Sequence, residues 1–162
     1  MIKRIALVAG LLLTIGGAAM AQDEAPAYTL GLGFVYKGVD KASPTWGLEG
    51  RVTHPLMANL DVALLGDWLF AQKGGRVAGV IGPAVHYNFE DMGGLIPYVG
   101  LGANFYFAKD TPGRTSLEVN AGAKYAMSEP WGLFGEVAWE AVKSKFIPKT
   151  PFDVRAGVTY GF

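Results

Sequence analysis

The chain has 162 residues, a formal net charge of zero, no cysteine, and a composition that is 51% hydrophobic and only 17% charged. This length has room for one domain, and the lack of cysteine excludes both a disulfide framework and a thiolate metal site. Beyond the N-terminal segment, no run approaches ~18 uninterrupted apolar residues, so a transmembrane helix is not expected. Such a chain is expected to be a soluble β-fold with a large core or a membrane β-barrel.

Residues 1–21 are predicted to be a cleaved secretory signal peptide. The positively charged pair Lys3-Arg4 precedes an apolar run at 5–15, and Ala19-Met20-Ala21 supplies a small-residue cleavage site. The alternative, a short N-terminal membrane anchor, is disfavoured because the apolar run is too short to span a bilayer. The exported chain, residues 22–162, is expected to form a single domain.

Beginning at Tyr28, the chain repeats one theme, in which a segment of alternating apolar and polar residues is followed by a polar or Gly/Pro-containing break. Alternation over about ten residues is the signature of a transmembrane β-strand. In the last segment, Phe152 and Val154 share one face, while Asp153 and Arg155 share the other. The predicted strands are residues 28–37, 45–54, 60–70, 77–89, 97–107, 116–127, 131–142 and 152–162.

The breaks between the predicted strands alternate in length. Those after the second, fourth and sixth strands are brief, and the others are mostly a little longer. Short periplasmic turns and longer outer loops are expected of a membrane barrel. Pro83 and Pro97 lack a backbone donor, so a bulge or a strand end is expected at each. The sequence therefore predicts an all-β fold, an eight-stranded antiparallel up-and-down transmembrane β-barrel with a polar lumen.

Aromatic residues mark both ends of the apolar faces, which favours lipid over water as the surroundings. Amphipathic rings prefer the headgroup layer, so a barrel in lipid carries two aromatic girdles around an aliphatic band. A soluble barrel of the lipocalin kind would place its apolar residues inside and has no need of girdles. One predicted girdle contains Tyr28, Tyr87, Phe89, Tyr125, Trp131, Tyr160 and Phe162, and the other contains Tyr36, Trp46, Trp68, Phe70, Phe105, Phe107, Trp139 and Phe152.

Charges outside the strands sort by sign between the two ends of the predicted barrel. The short-turn end carries Asp23, Glu24, Glu90, Asp91 and Glu129 and no base. The outer loops carry Asp40 and Asp110 but are mainly basic, and Lys37 and Lys41 are counted with them. A basic rim fits an outer leaflet of phosphorylated lipopolysaccharide. The predicted basic outer rim comprises Lys73, Arg76, Lys109, Arg114, Lys143, Lys145 and Lys149.

Charges within the strands fall on the face opposite the aliphatic residues, and we expect them to form a polar network in the lumen. An eight-stranded interior is only wide enough for its own side chains, so the charges must be paired. The expected neighbours are Arg51 with Asp61, Lys124 with Glu136, Arg155 between Glu136 and Glu140, and Glu118 opposite Glu140. The alternative is a gated ion path through the same residues. The predicted network comprises Glu49, Arg51, Asp61, Asp67, Glu118, Lys124, Glu136, Glu140, Asp153 and Arg155.

Two segments carry a resemblance to known proteins. They are PYVGLGANFYF at 97–107 and the closing RAGVTYGF at 155–162. Through them the chain resembles the small outer-membrane barrel families, the OmpX/OmpA-like β-barrel domain, over residues 22–162. The resemblance implies that Tyr160 and Phe162 form the assembly signal read by the barrel-assembly machinery. The outer loops are shorter than in OmpX, which argues against an adhesin-like role.

No catalytic, metal or cofactor site is expected. Some barrels resembling this one modify lipid A at the outer leaflet, but His54 and His86 both fall toward the periplasmic end and no His-x-Ser-Asn-like motif occurs. Isolated histidines at separate heights do not supply convergent metal ligands. His86 beside Asn88 is interpreted as part of the lumen packing.

The sequence thus predicts a non-enzymatic outer-membrane β-barrel with a structural or surface role in the envelope of a Gram-negative bacterium. The expected partners are outer-membrane lipid, lipopolysaccharide at the basic rim, and the barrel-assembly machinery during insertion. No nucleic acid partner is expected, and the barrel is expected to be a monomer. The alternative function is a narrow gated channel through the polar lumen, and a lipid A-modifying enzyme is the less favoured one.

Overall fold

The computed structural model describes residues 28–38, 44–70, 78–108, 111–141 and 152–162. They form eight strands, and no described helix has the length and apolarity needed to cross a membrane. The predicted signal peptide lies outside the described residues. The strands are β1 (Thr29–Gly38), β2 (Thr45–Met57), β3 (Leu60–Leu69), β4 (Ala78–Asn88), β5 (Leu95–Ala108), β6 (Thr111–Ser128), β7 (Trp131–Ala141) and β8 (Phe152–Gly161).

The eight strands close into a barrel in which each is antiparallel to its neighbours in the sequence, and β8 pairs with β1. The seam between β1 and β8 is continued beyond the strands, where the backbone N–H groups of Tyr28 and Phe162 donate to each other's carbonyl oxygens at 3.2 and 3.0 Å. The predicted fold class is confirmed. Because a closed barrel has no free edge, all the strands satisfy their backbone groups within the sheet.

Most strand bounds agree with the predicted ones within two residues. The largest difference is at the start of β6, which begins at Thr111 because its ladder with β5 continues to the pair Thr111 and Ala108. The connection between β5 and β6 is therefore residues 109–110, much shorter than the predicted break. We call this end of the barrel, with connections 39–44, 70–77, 109–110 and 142–151, the loop end, and the other, with 58–59, 89–94 and 129–130, the turn end.

Pro83 and Pro97, at which a bulge or a strand end was expected, both lie inside strands. Pro83 pairs with Leu64 of β3, but the ladder from β4 toward β5 skips it. Pro97 pairs with Ala123 of β6, and the ladder between β5 and β4 stops one residue away, at Tyr98. At each proline, which lacks a backbone donor, the ladder on one side has a gap, and the strand itself continues.

The two faces of the sheet differ completely in composition. Outward side chains are large and apolar, and the residues of both predicted aromatic girdles lie on this face. Inward side chains are charged, polar or small, with two apolar clusters among them. One cluster is Val35, Leu69 and Val80 near the loop end, where Tyr106 packs against it. The other consists of Ala63, Leu65 and Ala84 on β3 and β4.

Glycines on β1 and β8 make room for one large ring in the lumen. A Cβ at Gly33 would lie 2.9 Å from the Phe134 ring, and one at Gly157 would lie 2.7 Å from it. The ring in turn lies 3.8 Å from the guanidinium carbon of Arg51, which is a cation–π distance. These glycines thus let Phe134 cross the lumen and support a buried arginine, which is part of the site described next.

Candidate functional site

The centre of the lumen is organised around the guanidinium of Arg155, which is buried. Nη1 donates to Glu136 at 2.6 Å and to Glu118 at 2.8 Å, while Nη2 donates to the other oxygen of Glu118 at 2.8 Å and to Asp153 at 3.1 Å. The two parallel bonds to Glu118 use the planar fork that makes arginine suited to carboxylates. One side chain of β8 thus joins β6 and β7 across the lumen.

Two more carboxylates lie near Arg155 at longer distances. An oxygen of Glu49 is 3.8 Å from Nε, and an oxygen of Asp67 is 3.6 Å from Nη2. Glu49 and Asp67 pair with each other across β2 and β3, so two acids of like charge stand side by side. Arg155 is therefore the common neighbour of acids from β2, β3, β6, β7 and β8.

Lys37 forms a second centre toward the loop end. Its ammonium donates to Glu140 at 2.6 Å, to Asp153 at 2.5 Å and to the Tyr106 hydroxyl at 3.1 Å. The placement of Lys37 among the outer-loop charges is wrong, because β1 continues to Gly38 and position 37 faces inward. The apolar cluster near the loop end lies beside this centre through Tyr106.

Arg51 forms a third centre with residues of β2, β5 and β7. Its Nε donates to Glu49 at 2.5 Å, and its Nη1 lies 3.6 Å from Glu136. The Tyr98 hydroxyl donates to Glu136 at 2.7 Å and accepts a long bond of 3.4 Å from Arg51. Phe134 covers the guanidinium, so Arg51 is held by charge, hydrogen bonds and a ring face together.

A smaller network lies at the turn end of the lumen. The Lys124 ammonium binds Asp61 and donates to Asn88 at 2.9 Å. It also lies 5.3 Å from the centroid of the Tyr98 ring. The Lys124 side chain is 29% exposed, against 6% for Lys37, so this network is the more open of the two.

All ten predicted lumen residues face the interior, but several pair differently from the prediction. Arg51 binds Glu49, whereas Asp61 stands opposite Pro55 and binds Lys124. Lys124 is diagonal to Glu136 in the register, as expected, yet its ammonium reaches across the barrel to β3.

The predicted pairs on β6, β7 and β8 agree more closely with the structure. The register places Arg155 directly opposite Glu136 and Glu118 directly opposite Glu140. Glu140 differs from the prediction, because its cationic partner is Lys37 instead of Arg155.

Several members of the lumen network were not predicted from the sequence. Asn104 donates to Glu118 at 2.7 Å and to Glu140 at 3.2 Å, and Ser116 donates to Glu140 at 2.8 Å. The signal was present, because these residues share the inward phase of their strands with the predicted charges. The others missed are Lys37, Tyr98, Tyr106 and Asn120.

The two histidines do not lie together. His86 is buried in the lumen, where Nε2 is 3.4 Å from the Asn120 amide and the ring is 4.8 Å from that of Tyr98. His54 stacks on Tyr28 at 4.8 Å, close to the end of β2. Both are in the turn-end half of the barrel, at different places.

One group of acids has the spacing of a metal site. Single oxygens of Glu118, Glu140 and Asp153 lie within 4.8 Å of one another, and all three side chains are buried. The same carboxylates already bind the Lys37 ammonium and the Arg155 guanidinium. Lys37 and Arg155 therefore already occupy carboxylate oxygens of this group.

The remaining predicted residues lie at the two ends of the barrel. Tyr160 and Phe162 are on the lipid-facing side at the turn end, where the Tyr160 ring meets Trp131 edge-on at 5.0 Å and the Phe162 ring stacks on Tyr28 at 6.2 Å. The basic outer rim falls outside what the structure describes, except for the backbone of Arg114 within β6. Those rim residues are Lys73, Arg76, Lys109, Lys143, Lys145 and Lys149.

An apolar outer surface, two aromatic girdles and a charged, side-chain-filled interior define an eight-stranded transmembrane β-barrel. No family model and no curated protein matches the sequence. Solved structures do match the fold. Neisserial surface protein A (NspA) is 13% identical, with a TM-score of 0.72 over 86% of this chain and 100% of its own.

Two structures from Pseudomonas aeruginosa are also similar. The N-terminal β-barrel domain of OprF is 18% identical with a TM-score of 0.64, over 86% of this chain and 100% of its own. The outer membrane protein OprG is 16% identical with a TM-score of 0.57, over 86% of this chain and 97% of its own. At these identities the likeness is one of fold. The chain has the architecture of the small outer-membrane barrels, which supports a place in the outer membrane.

Proposed function

We propose that this protein is a non-enzymatic barrel with a structural or surface role in the outer membrane of a Gram-negative bacterium. The observation that carries the proposal is the filled lumen. Arg155 is surrounded by carboxylates from five strands, and Lys37 and an apolar cluster lie between it and the loop end. A barrel whose interior is occupied by its own paired side chains presents its outer surface and its ends to partners.

The proposed partner at the loop end is lipopolysaccharide, bound through the basic outer rim. Lys and Arg near a membrane surface are attracted to anionic headgroups. The turn end has the opposite sign, because Glu90, Asp91 and Glu129 are exposed there. This difference in charge supports an orientation in which the basic end faces the phosphates of the outer leaflet. The barrel is further proposed to be a monomer that the barrel-assembly machinery inserts.

The positions of the histidines support the absence of catalysis. An acyl-transfer or hydrolytic site needs a base within hydrogen-bond reach of a nucleophile and access to the substrate. His86 is enclosed by Asn120 and Tyr98 inside the lumen. His54 stacks on Tyr28 near the turn end, away from the outer leaflet, where a lipid A-modifying barrel would act.

Planar-bilayer recording tests the filled lumen against a channel. The purified, refolded protein should leave the conductance at background at moderate voltages, because paired side chains from five strands surround Arg155 at the charged centre. Arg155→Lys, which keeps the charge but loses the fork, is the matched control for leakage through a loosened barrel. Regular unitary steps from the unmodified protein would replace the proposal with the narrow gated channel.

Binding of lipopolysaccharide is tested by charge removal at one end only. A variant with Lys73, Arg76, Lys143, Lys145 and Lys149 changed to Gln should lose most of the thermal stabilisation that lipopolysaccharide gives to the barrel in nanodiscs. The matched control changes Glu90, Asp91 and Glu129 to their amides and should keep it. Equal stabilisation of both variants by lipopolysaccharide would contradict a specific basic rim.

A further inference from the structure

The described part of the lumen contains more acids than bases. Asp61 and Lys124 form a pair of their own at the turn end. The other bases are Lys37, Arg51 and Arg155, and all are buried. With His86 neutral, six buried carboxylates face these three cations. The six acids are Glu49, Asp67, Glu118, Glu136, Glu140 and Asp153.

The excess falls on particular atoms. Within the part of the chain that the structure describes, three carboxyl oxygens are buried without a hydrogen-bond partner, namely Glu49 Oε2, Asp67 Oδ1 and Asp153 Oδ1. The three residues are 2%, 5% and 0% exposed, respectively. Three unmatched negative charges thus coincide with three carboxyl oxygens that accept no hydrogen bond.

Two cross-strand pairs of acids show how unevenly the donors are shared. Glu118 and Glu140 stand opposite each other on β6 and β7, and each accepts several hydrogen bonds. Glu49 and Asp67 stand opposite each other on β2 and β3, but the ion pair that Asp67 forms among the described residues is a long one, with Arg155 at 3.6 Å. Like charges placed directly opposite on neighbouring strands destabilise a sheet. The pair on β2 and β3 is therefore less well compensated than the pair on β6 and β7, although one oxygen of Glu49 accepts from Arg51.

We propose that the folded lumen binds small cations, in addition to its own Lys and Arg, at Glu49, Asp67 and Asp153. A buried charge without a partner is costly, and carboxylate oxygens bind protons and hard metal ions such as Mg²⁺ and Ca²⁺. Either source supplies the missing positive charge. The titratable and charged groups that face these acids from the other positions are Lys37 on β1, Arg51 on β2, Tyr106 on β5, Glu118 on β6, Glu140 on β7 and Arg155 on β8. Glu136 on β7, which binds Arg155, is in turn approached by Tyr98 on β5 and His86 on β4.

The cations can be counted as they leave. The refolded barrel in detergent micelles is dialysed at pH 7 against a weak buffer containing Mg²⁺ and Ca²⁺, exchanged into metal-free buffer, and unfolded in guanidinium chloride. An indicator dye measures the protons released, and elemental mass spectrometry measures the metal. We expect about three positive charges per chain. Proton release with no metal assigns the site to protons, stoichiometric metal assigns it to the metal ion, and release of neither overturns the proposal.

Amide variants assign the release to positions. Glu49→Gln, Asp67→Asn and Asp153→Asn should each lower the release by about one charge. Asp61→Asn is the matched control, because Asp61 has Lys124 as a partner, and it should leave the release unchanged. Release that is the same in all four variants and the unmodified protein would overturn the assignment to these residues.

A stability comparison gives a second readout that does not depend on counting. In metal-free buffer, Glu49→Gln and Asp67→Asn remove surplus charge, and the amide oxygen introduced at position 49 can still accept from Arg51 Nε, so their urea midpoints should equal or exceed that of the unmodified barrel. Glu118→Gln removes a carboxylate whose two oxygens both accept from Arg155, so its midpoint should fall. A fall at Glu49→Gln and Asp67→Asn as large as that at Glu118→Gln would overturn the proposal.

Discussion

Val99 and Tyr98 are neighbours in β5, yet they meet opposite conditions. Val99 is 43% exposed on the outer face, whereas Tyr98 is 1% exposed in the lumen and donates to Glu136 at 2.7 Å. The outer position requires only an apolar side chain, because lipid tails form no hydrogen bonds and so impose no particular geometry. The inner position requires a hydrogen-bond donor that reaches the Glu136 carboxylate. On the same strand, the outward positions therefore require apolar side chains, whereas the inward positions require side chains that match particular hydrogen-bond partners.

The difference extends to which strands the interacting residues belong to. On the outer face, contacts run between adjacent strands, as between Trp131 and Tyr160, which are register partners. In the lumen, Lys37 of β1 binds Glu140 of β7, and Lys124 of β6 reaches Asp61 of β3. Bonds across the barrel hold non-adjacent strands together, so the lumen fixes the cross-section of the barrel while the outer face fixes its place in the bilayer.

The largest expected effect comes from removing the centre of the lumen. Arg155→Ala leaves Glu118, Glu136 and Asp153 without their shared donor, and loss of one partner from a buried charge pair costs ~3–5 kcal/mol. Urea titration of the refolded protein measures the loss, and bilayer recording on the same sample should stay at background. Appreciable new conductance with an unchanged urea midpoint would show that Arg155 gates a path instead of stabilising a core.

The outer face could be predicted almost completely from the sequence, because side chains on a strand alternate between its two sides. The same alternation identified which charges point inward, except for Lys37 at the end of β1, which was counted with the outer loops. It could not identify their partners. Arg51 was expected near Asp61, but β2 continues to Met57 with a register shift after Pro55, so Arg51 stands opposite Leu65. Contacts such as that of Lys124 with Asp61 also depend on the curvature of the closed sheet, which no pairwise register contains.

A charge placed on the outer face tests the other half of the comparison. Leu101 lies near the middle of β5 and is 66% exposed on the lipid side. Leu101→Arg should destabilise the barrel in lipid by ~2–4 kcal/mol, because arginine is costly at the bilayer midplane. Leu95→Arg, on the same face of the same strand at the turn end, is the matched control and should cost only ~0–1 kcal/mol. Equal urea midpoints for the two variants would contradict the placement of the midplane.

The smallest effect is expected where the lumen opens toward the turn end. The Lys124 side chain is 29% exposed and that of Asp61 10%, so solvent screens this pair more than the buried ones, and Lys124→Ala should cost less than the ~3–5 kcal/mol typical of a buried pair. Lys37→Ala is the matched control, since Lys37 is also a lumen lysine but is buried against Glu140 and Asp153, and it should cost several times more. Urea midpoints of the two variants, measured in parallel at low and high salt, separate the cases. The small loss at Lys124 should shrink further in high salt, while the loss at Lys37 should persist. Losses of similar size with the same salt dependence would show that the lumen is uniform along its length, with no sheltered centre and no open turn end.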